Sequence, residues 1–178
     1  MQNKGTLSVV MPNYNHGHYI QEALQAILSQ SFSPLEVIVI DDGSTDNSVQ
    51  IIESIAEKNP TVKFYRNVKN EGVWHSSNKG AKIATGEYIY FCAADDRVCP
   101  GFFEKSVKIL NQNPQAGLSS GLLKIIGKDG NDEMWAKTPV ISSTECFLSA
   151  DQVRKTLLKH GFLFKGYKVI FRRDYVVK

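Results

Sequence analysis

Two adjacent carboxylate pairs, Asp41-Asp42 and Asp95-Asp96, and the triplet Asn13-Tyr14-Asn15 are the residues best equipped to bind and react. Four carboxylates gathered at one edge of a fold repel one another. Two unit charges about 4 Å apart cost ~1 kcal/mol in water and ~4 kcal/mol at an effective dielectric of 20. A bound cation relieves that repulsion. Hard oxygens without Cys or paired His favour Mg²⁺ or Mn²⁺ over zinc, and these ions bridge protein carboxylates to substrate diphosphates. The pairs therefore suggest a metal-held phosphate ester. Taken singly, Asp41-Asp42-Gly43-Ser44, Asn70-Glu71-Gly72 and Asp95-Asp96 also read as ordinary turns. His16 and His18 flank Gly17 with no further His or Cys nearby to complete a metal set, so they read as surface residues opening a helix.

The surrounding elements must bring these groups together. Thr6 to Met11 is rich in strand formers, and Pro12 is expected to end that strand. Ile20, Ala23, Leu24, Ile27 and Leu28 form one helical stripe within a segment from Tyr19 to Gln30. Glu36 to Ile40 is an apolar run of the kind buried on both faces of a parallel sheet, and it stops at Asp41. Ser44 or Thr45 is expected to cap the next helix, which Asn59-Pro60 breaks. Val62 to Arg66 is a third strand, a weakly helical segment runs from Asn70-Glu71-Gly72 to Ala84, and Glu87 to Cys92 is a fourth strand. Pro100 opens a helix through about Asn113. Beyond Pro114, Leu118 to Ile126 reads as one strand, residues 128–132 as a turn, Ser149 to His160 as a capped helix and Tyr167 to Arg172 as a last strand. Alternating strands and helices specify a parallel α/β sheet with right-handed crossovers and a more irregular second half.

In such a sheet ligands lie outside the carboxyl ends of the strands, where loops diverge and helix N-termini present free N–H groups. The rule selects Pro12-Asn13-Tyr14-Asn15, Asp41-Asp42 and Ala94-Asp95-Asp96.

Together, Val9 to Asn15, Glu36 to Asp46, Asn70-Glu71-Gly72, Ala84 to Ile89 and Ala94-Asp95-Asp96 resemble the family 2 inverting glycosyltransferases of the GT-A fold. The match in order and spacing runs over about residues 6–113; from 114 to 178 it is weak, carried by Val169 to Arg173. The resemblance implies a GT-A type α/β fold with a mostly parallel Rossmann-like sheet, C-terminally short. Residues 1–113 would form the nucleotide-sugar-binding half and 114–178 the start of the acceptor-side half of a single domain. It further implies transfer of a sugar from a nucleotide-diphosphate donor, UDP-type, to an acceptor hydroxyl with inversion. Pro12, Tyr14, Asp41, Asp42, Asn70, Gly72, Asn78 and Asp95 would bind the nucleotide, with Asp95 and Asp96 on a Mn²⁺ or Mg²⁺ ion. Tyr14 would stack on the base. The chain departs from the family pattern at Ala93, where the first acid of an Asp-x-Asp usually stands, and at Ser77, where Arg commonly precedes the Asn. None of Asp129, Asp132, Glu133, Asp151 and Asp174 is placed as a general base, which is expected beyond Lys178. A nucleotide-sugar-binding module without a base is the alternative.

Composition narrows the classes. With 178 residues, 42% hydrophobic and 22% charged, the chain is one globular domain large enough to fold without disulfide or metal staples. Cys92, Cys99 and Cys146 form no C-x-x-C and read as reduced. Apolar runs are too short to span a membrane, and Pro12 and Asn13 come too early for a signal peptide, so a cytoplasmic location is expected. Net charge of +3 is too small to imply nucleic acid. Its distribution is uneven: residues 1–150 hold 13 Lys and Arg against 16 Asp and Glu, whereas 151–178 hold 8 against 2. The basic end would suit peripheral contact with the inner face of a bacterial membrane, where a glycan or lipid-linked acceptor would be found, or is a solvated tail. A phosphorylation receiver fits poorly, because its acidic pair would end the first strand, and no G-x-G-x-x-G marks a dinucleotide enzyme.

Overall fold

The computed structural model describes residues 5–127, 133–136, 141–142, 144–161 and 168–177. The expected 128–132 turn with Asp129 and Asp132, and also Tyr167 and Lys178, lie outside them. A six-stranded sheet has the order β3-β2-β1-β4-β8-β5, built from β1 (Leu7–Asn13), β2 (Glu36–Asp41), β3 (Val62–Arg66), β4 (Tyr88–Phe91), β5 (Leu118–Ser120) and β8 (Val169–Arg172). The first four named are mutually parallel; β8 pairs antiparallel with both β4 and β5. The sheet is mostly parallel, as expected, and its antiparallel strands come from the second half of the chain.

Strand alternation sorts the core into two faces. Val9, Met11, Val37 and Val39 pack with Ile20, Ala23, Leu24 and Ile27 of α1 (Ile20–Leu28), Ile52 of α2 (Ser48–Lys58) and Phe103, Val107 and Leu110 of α4 (Phe102–Gln112). Val10, Ile38, Ile40 and Ile89 pack with Ala81 of α3 (Val73–Ile83) and Ala84. Each fully buried Leu or Ile stabilises the fold by about 1.5–3 kcal/mol. Helix α3 buries only Ser76, Gly80 and Ala81, which is why its apolar periodicity is faint.

Three expectations need correction. Pro12 does not end β1. Val10 turns its carbonyl to β4, accepting from Cys92 N, and Asn13 turns its carbonyl to β2, accepting from Asp42 N. The same alternation points the Pro12 nitrogen at β4, past the last rung of that ladder at Val10 and Phe91, so no hydrogen bond is lost. Residues 118–126 form two strands: Gly121 N donates to Lys168 O, and β6 (Lys124–Ile126) then leaves to pair with β7 (Glu133–Trp135) in a separate hairpin. Ser44 and Thr45 do not cap α2, which starts after Asn47. Asp46 accepts there from Ser48 N at 3.0 Å and from the Ser48 hydroxyl. By contrast α5 (Ala150–His160) has the expected cap: Ser149 and Gln152 exchange hydrogen bonds in a capping box. No helix among the described residues is long and apolar enough to cross a membrane.

At the amino end of β2, buried Glu36 holds four segments together. Its Oε1 accepts from Ser8 Oγ, Thr85 N and Thr85 Oγ1, each at 2.7 Å, and its Oε2 accepts from Lys63 Nζ at 2.6 Å. Burial alone would raise its pKa, but these donors, led by Lys63, lower it to about 2 from 4.5. A depressed carboxylate stabilises the fold above its unfolded pKa, and that stability drains away as pH falls through the folded one. Urea midpoints are therefore expected to be level near pH 6 and to fall between about 4.5 and 2. Glu36→Gln, leaving Lys63 unpaired, is expected to cost about 3 kcal/mol at pH 7 and to flatten that segment of the profile.

Candidate functional site

The two carboxylates closing β2 are both buried but face opposite sides of the sheet. Asp41 continues the Val37 and Val39 face. Its Oδ1 accepts from Asn13 Nδ2 at 2.8 Å and from the Ser44 hydroxyl, and its Oδ2 accepts from Ser44 N at 3.1 Å and lies 3.4 Å from Arg66 Nε. Ser44 Oγ in turn accepts from Asn15 N at 2.9 Å, and Asn15 Oδ1 accepts from Thr45 N at 2.9 Å. Asn15 adopts a left-handed φ of 56°, a conformation Asn tolerates better than most residues. The loops after β1 and β2 are thus tied to each other beneath the sheet edge.

Asp42 continues the Ile38 and Ile40 face, toward α3. Its Oδ1 accepts from Asn67 Nδ2 at 2.8 Å and Glu71 N at 3.0 Å, and its Oδ2 accepts from Gly72 N at 2.8 Å. Burial opposes the charge, yet these donors, Asn67 first, together with Ser76, leave the Asp42 carboxyl below its ordinary value. Gly72 has φ of 94°, which a residue with a side chain rarely adopts, and the turn it makes delivers the chain into α3.

Between these loops lies a cleft of about 480 Å³ lined by Pro12, Asn13, Tyr14, His16, Asp42, Asn70, Gly72, Val73, Ala93, Ala94 and Asp95. Pro12, Tyr14, Asp42, Asn70, Gly72 and Asp95, singled out from sequence, come together here from four separate segments. Tyr14 is 42% exposed, its ring accessible from the cleft mouth. Asp41 does not line the cleft: strand alternation turns it to the other face, where it serves the loops. Asn78 does not either; it is exposed in the second turn of α3, and its neighbour Ser76 faces inward instead, accepting from Asn67 Nδ2 at 3.0 Å. Asp96 sits beside the lining residue Asp95, and partial burial followed by the Asp95 charge pushes its carboxyl above the ordinary value. His16, Val73 and Ala93 line the cleft without having been singled out from sequence, whereas Ala94 belongs to the Ala94-Asp95-Asp96 strand end selected there. Ala93 carries no polar group to flag it, and a lone His in a turn has no periodicity.

Among the described residues no group of three or more His, Cys, Asp and Glu is placed to cage a metal ion. Asp95 and Asp96 carry hard carboxylate oxygens of the kind that would hold a Mg²⁺ or Mn²⁺ ion together with substrate oxygens and water.

The glycosyl transferase family 2 model matches residues 8–176. The chain belongs to that family. It is 31% identical over its whole length to an uncharacterized glycosyltransferase of Escherichia coli, YibD, covering 52% of that protein. Over 108 residues, 60% of the chain and 12% of the relative, it is 36% identical to the minor teichoic acid biosynthesis protein GgaB of Bacillus subtilis. Staphylococcus aureus TarS 1–349 in complex with UDP superimposes with a TM-score of 0.68 at 26% identity, over 94% of this chain and 47% of TarS 1–349. The mannosyltransferase PcManGT of Pyrobaculum calidifontis, in complex with GDP-Man and Mn²⁺, superimposes at 0.65 and 20% identity, over 96% and 45%. The fold is therefore of the GT-A type, and the chain spans about half the length of YibD, of PcManGT and of TarS 1–349.

This family 2 chain uses Asp41 and Asp42 differently, and substitution separates the two roles. Asp41→Ala strands Asn13, Ser44 and Arg66 and is expected to cost about 2–4 kcal/mol in urea unfolding. A loss below about 0.5 kcal/mol would remove Asp41 from its place as the knot between the loops.

Proposed function

We propose that this chain binds a nucleotide-diphosphate sugar, UDP-type, in the 480 Å³ cleft and serves inverting transfer of the sugar to an acceptor hydroxyl. The observation that carries this reading is the convergence of Tyr14, Asp42, Asn70, Gly72 and Asp95 at the carboxyl edge of a parallel sheet in a family 2 chain. The bound UDP and GDP-Man of the two structural neighbours support a nucleotide donor.

In this reading Tyr14 lies against the base, a contact worth about 1–3 kcal/mol in related stacking sites. Asp42 holds the 70–72 turn and lines the base end of the cleft, and Asp95 and Asp96 face the diphosphate. A divalent ion on that pair would supply Lewis-acid neutralisation of charge on the departing nucleoside diphosphate. The acceptor oxygen attacks the anomeric carbon opposite the diphosphate, the new C–O bond forms as the bond to the leaving oxygen breaks, and the configuration inverts. The acceptor proton passes to a general base. Asp42 is committed to three donors, so we assign the base to a group outside the cleft residues, in the part of the fold that the longer relatives possess. The acceptor we assign is a glycan or lipid-linked molecule of cell-surface polysaccharide synthesis, as the GgaB likeness suggests, met at the inner face of a bacterial membrane with the basic 151–178 region as a peripheral contact.

Calorimetric titration with UDP, with and without Mn²⁺, tests the donor half directly. Metal-dependent binding is expected, and absence of binding by UDP and by thymidine and guanosine diphosphates would overturn the reading. UDP binding with neither hydrolysis nor transfer in the full-length protein would favour a binding module instead. Asp96→Ala is expected to abolish the metal-dependent part of the affinity while leaving the fold intact. Asp42→Ala is expected to weaken UDP at least tenfold more than free diphosphate; equal losses would move Asp42 away from the base.

A further inference from the structure

The described residues lining the cleft include the carboxylates Asp42 and Asp95 but no Lys or Arg. A diphosphate placed there meets negative charge and needs hydrogen-bond donors as well as a bridging cation. Three neighbouring cations are engaged elsewhere, Arg66 with Asp41 and Ser44 O, Lys79 with Asn67 Oδ1 and Arg97 with Glu22, and Lys69, which precedes Asn70, is exposed and is not among the lining residues. His16 is the basic side chain among the lining residues. Its backbone is anchored, since its carbonyl accepts from Tyr19 N and Ile20 N at 2.9 Å each, and Gly17 N donates to Asp46 Oδ2 at 2.8 Å. Nε2 faces Asp95 Oδ2 at 4.0 Å, too long for a hydrogen bond, and Nδ1 is buried without a partner. The ring thus stands between the loops after β1 and β4 with no hydrogen bond to either nitrogen among the described residues.

We propose that His16 is a donor-binding residue that gives an N–H hydrogen bond to a diphosphate oxygen of the nucleotide sugar beside Asp95. The proposal rests on the nucleotide-sugar reading above and adds to it a side chain that acts without the metal. A group that contacts only the diphosphate leaves nucleoside affinity unchanged. A residue that merely positions Asp95 affects only the metal-dependent affinity.

The test titrates UDP by calorimetry, with and without Mn²⁺, and uridine by NMR, into wild type, His16→Ala and His16→Asn, with thermal unfolding as the folding control. Expected are an about tenfold loss of UDP affinity in His16→Ala under both metal conditions, uridine within about twofold of wild type, and partial recovery in His16→Asn, which keeps a side-chain N–H. UDP affinity unchanged in His16→Ala, an equal loss for uridine, or a loss confined to the Mn²⁺ titration would each overturn the proposal while the nucleotide-sugar reading stands. Failure of the wild-type protein to bind UDP, thymidine diphosphate and guanosine diphosphate alike would overturn both.

Discussion

Burial of a carboxylate is costly unless hydrogen bonds replace the water it loses, and β2 buries two in succession at its carboxyl end. The period of a strand sends Asp41 and Asp42 to opposite faces, so each must recruit its own donors. Asp41 draws on Asn13, Ser44 and Arg66, and Asp42 on Asn67, Glu71 and Gly72. These donors belong to the last residues of β1 and β3 and to the loops after β2 and β3. The cleft's shape follows from satisfying two charges that the sheet cannot leave bare.

The rest of the strand makes that arrangement rigid. Glu36, at the other end of β2, joins β1, β3 and the turn before β4. Helix α3 lies close against the sheet because Gly80 has no Cβ; one added there would come within 2.4 Å of Val10 Cγ1, a fully buried methyl with nowhere to move. That close approach sets where the first turn of α3 stands, and with it Gly72 N and Val73 at the cleft. Small residues that look like weak helix formers are thus what allows Asp42 to be satisfied.

Much of this was legible in the residues. The unbroken Val37 to Ile40 run, the Val62 to Arg66 strand and the α1 stripe are strong patterns because each is buried on a defined face. The alternation that separates Asp41 from Asp42 was equally present in the sequence, but two adjacent acids invite reading as one site. Pro12 misled because a proline's missing donor matters only where a partner strand still runs, and β4 has ended by that point. Residues 118–126 misled because continuous strand propensity does not reveal a switch of partner at Gly121. His16 carried no signal beyond its own side chain; only the meeting of two distant loops gives it a role.

Electrostatics divides the cleft into two unlike ends. At Asp42 the negative charge is matched by fixed dipoles from the protein, and its lowered pKa records that the match outweighs burial. At Asp95 and Asp96 no such match is found among the described residues: the His16 imidazole stands 4.0 Å from Asp95, and the Asp96 carboxyl is held above its ordinary value by partial burial and by its neighbour. A preorganised, compensated end suits a neutral ring that must be placed, because its donors are already spent on the protein and its geometry does not shift when the ring arrives. An uncompensated pair suits a site completed from outside, where a cation and the anionic group it carries replace what the protein has withheld. Under the proposed function, that asymmetry would give a nucleotide one direction in which to lie, base toward Asp42 and phosphates toward Asp95, without requiring any residue to recognise the polarity of the ligand as a whole.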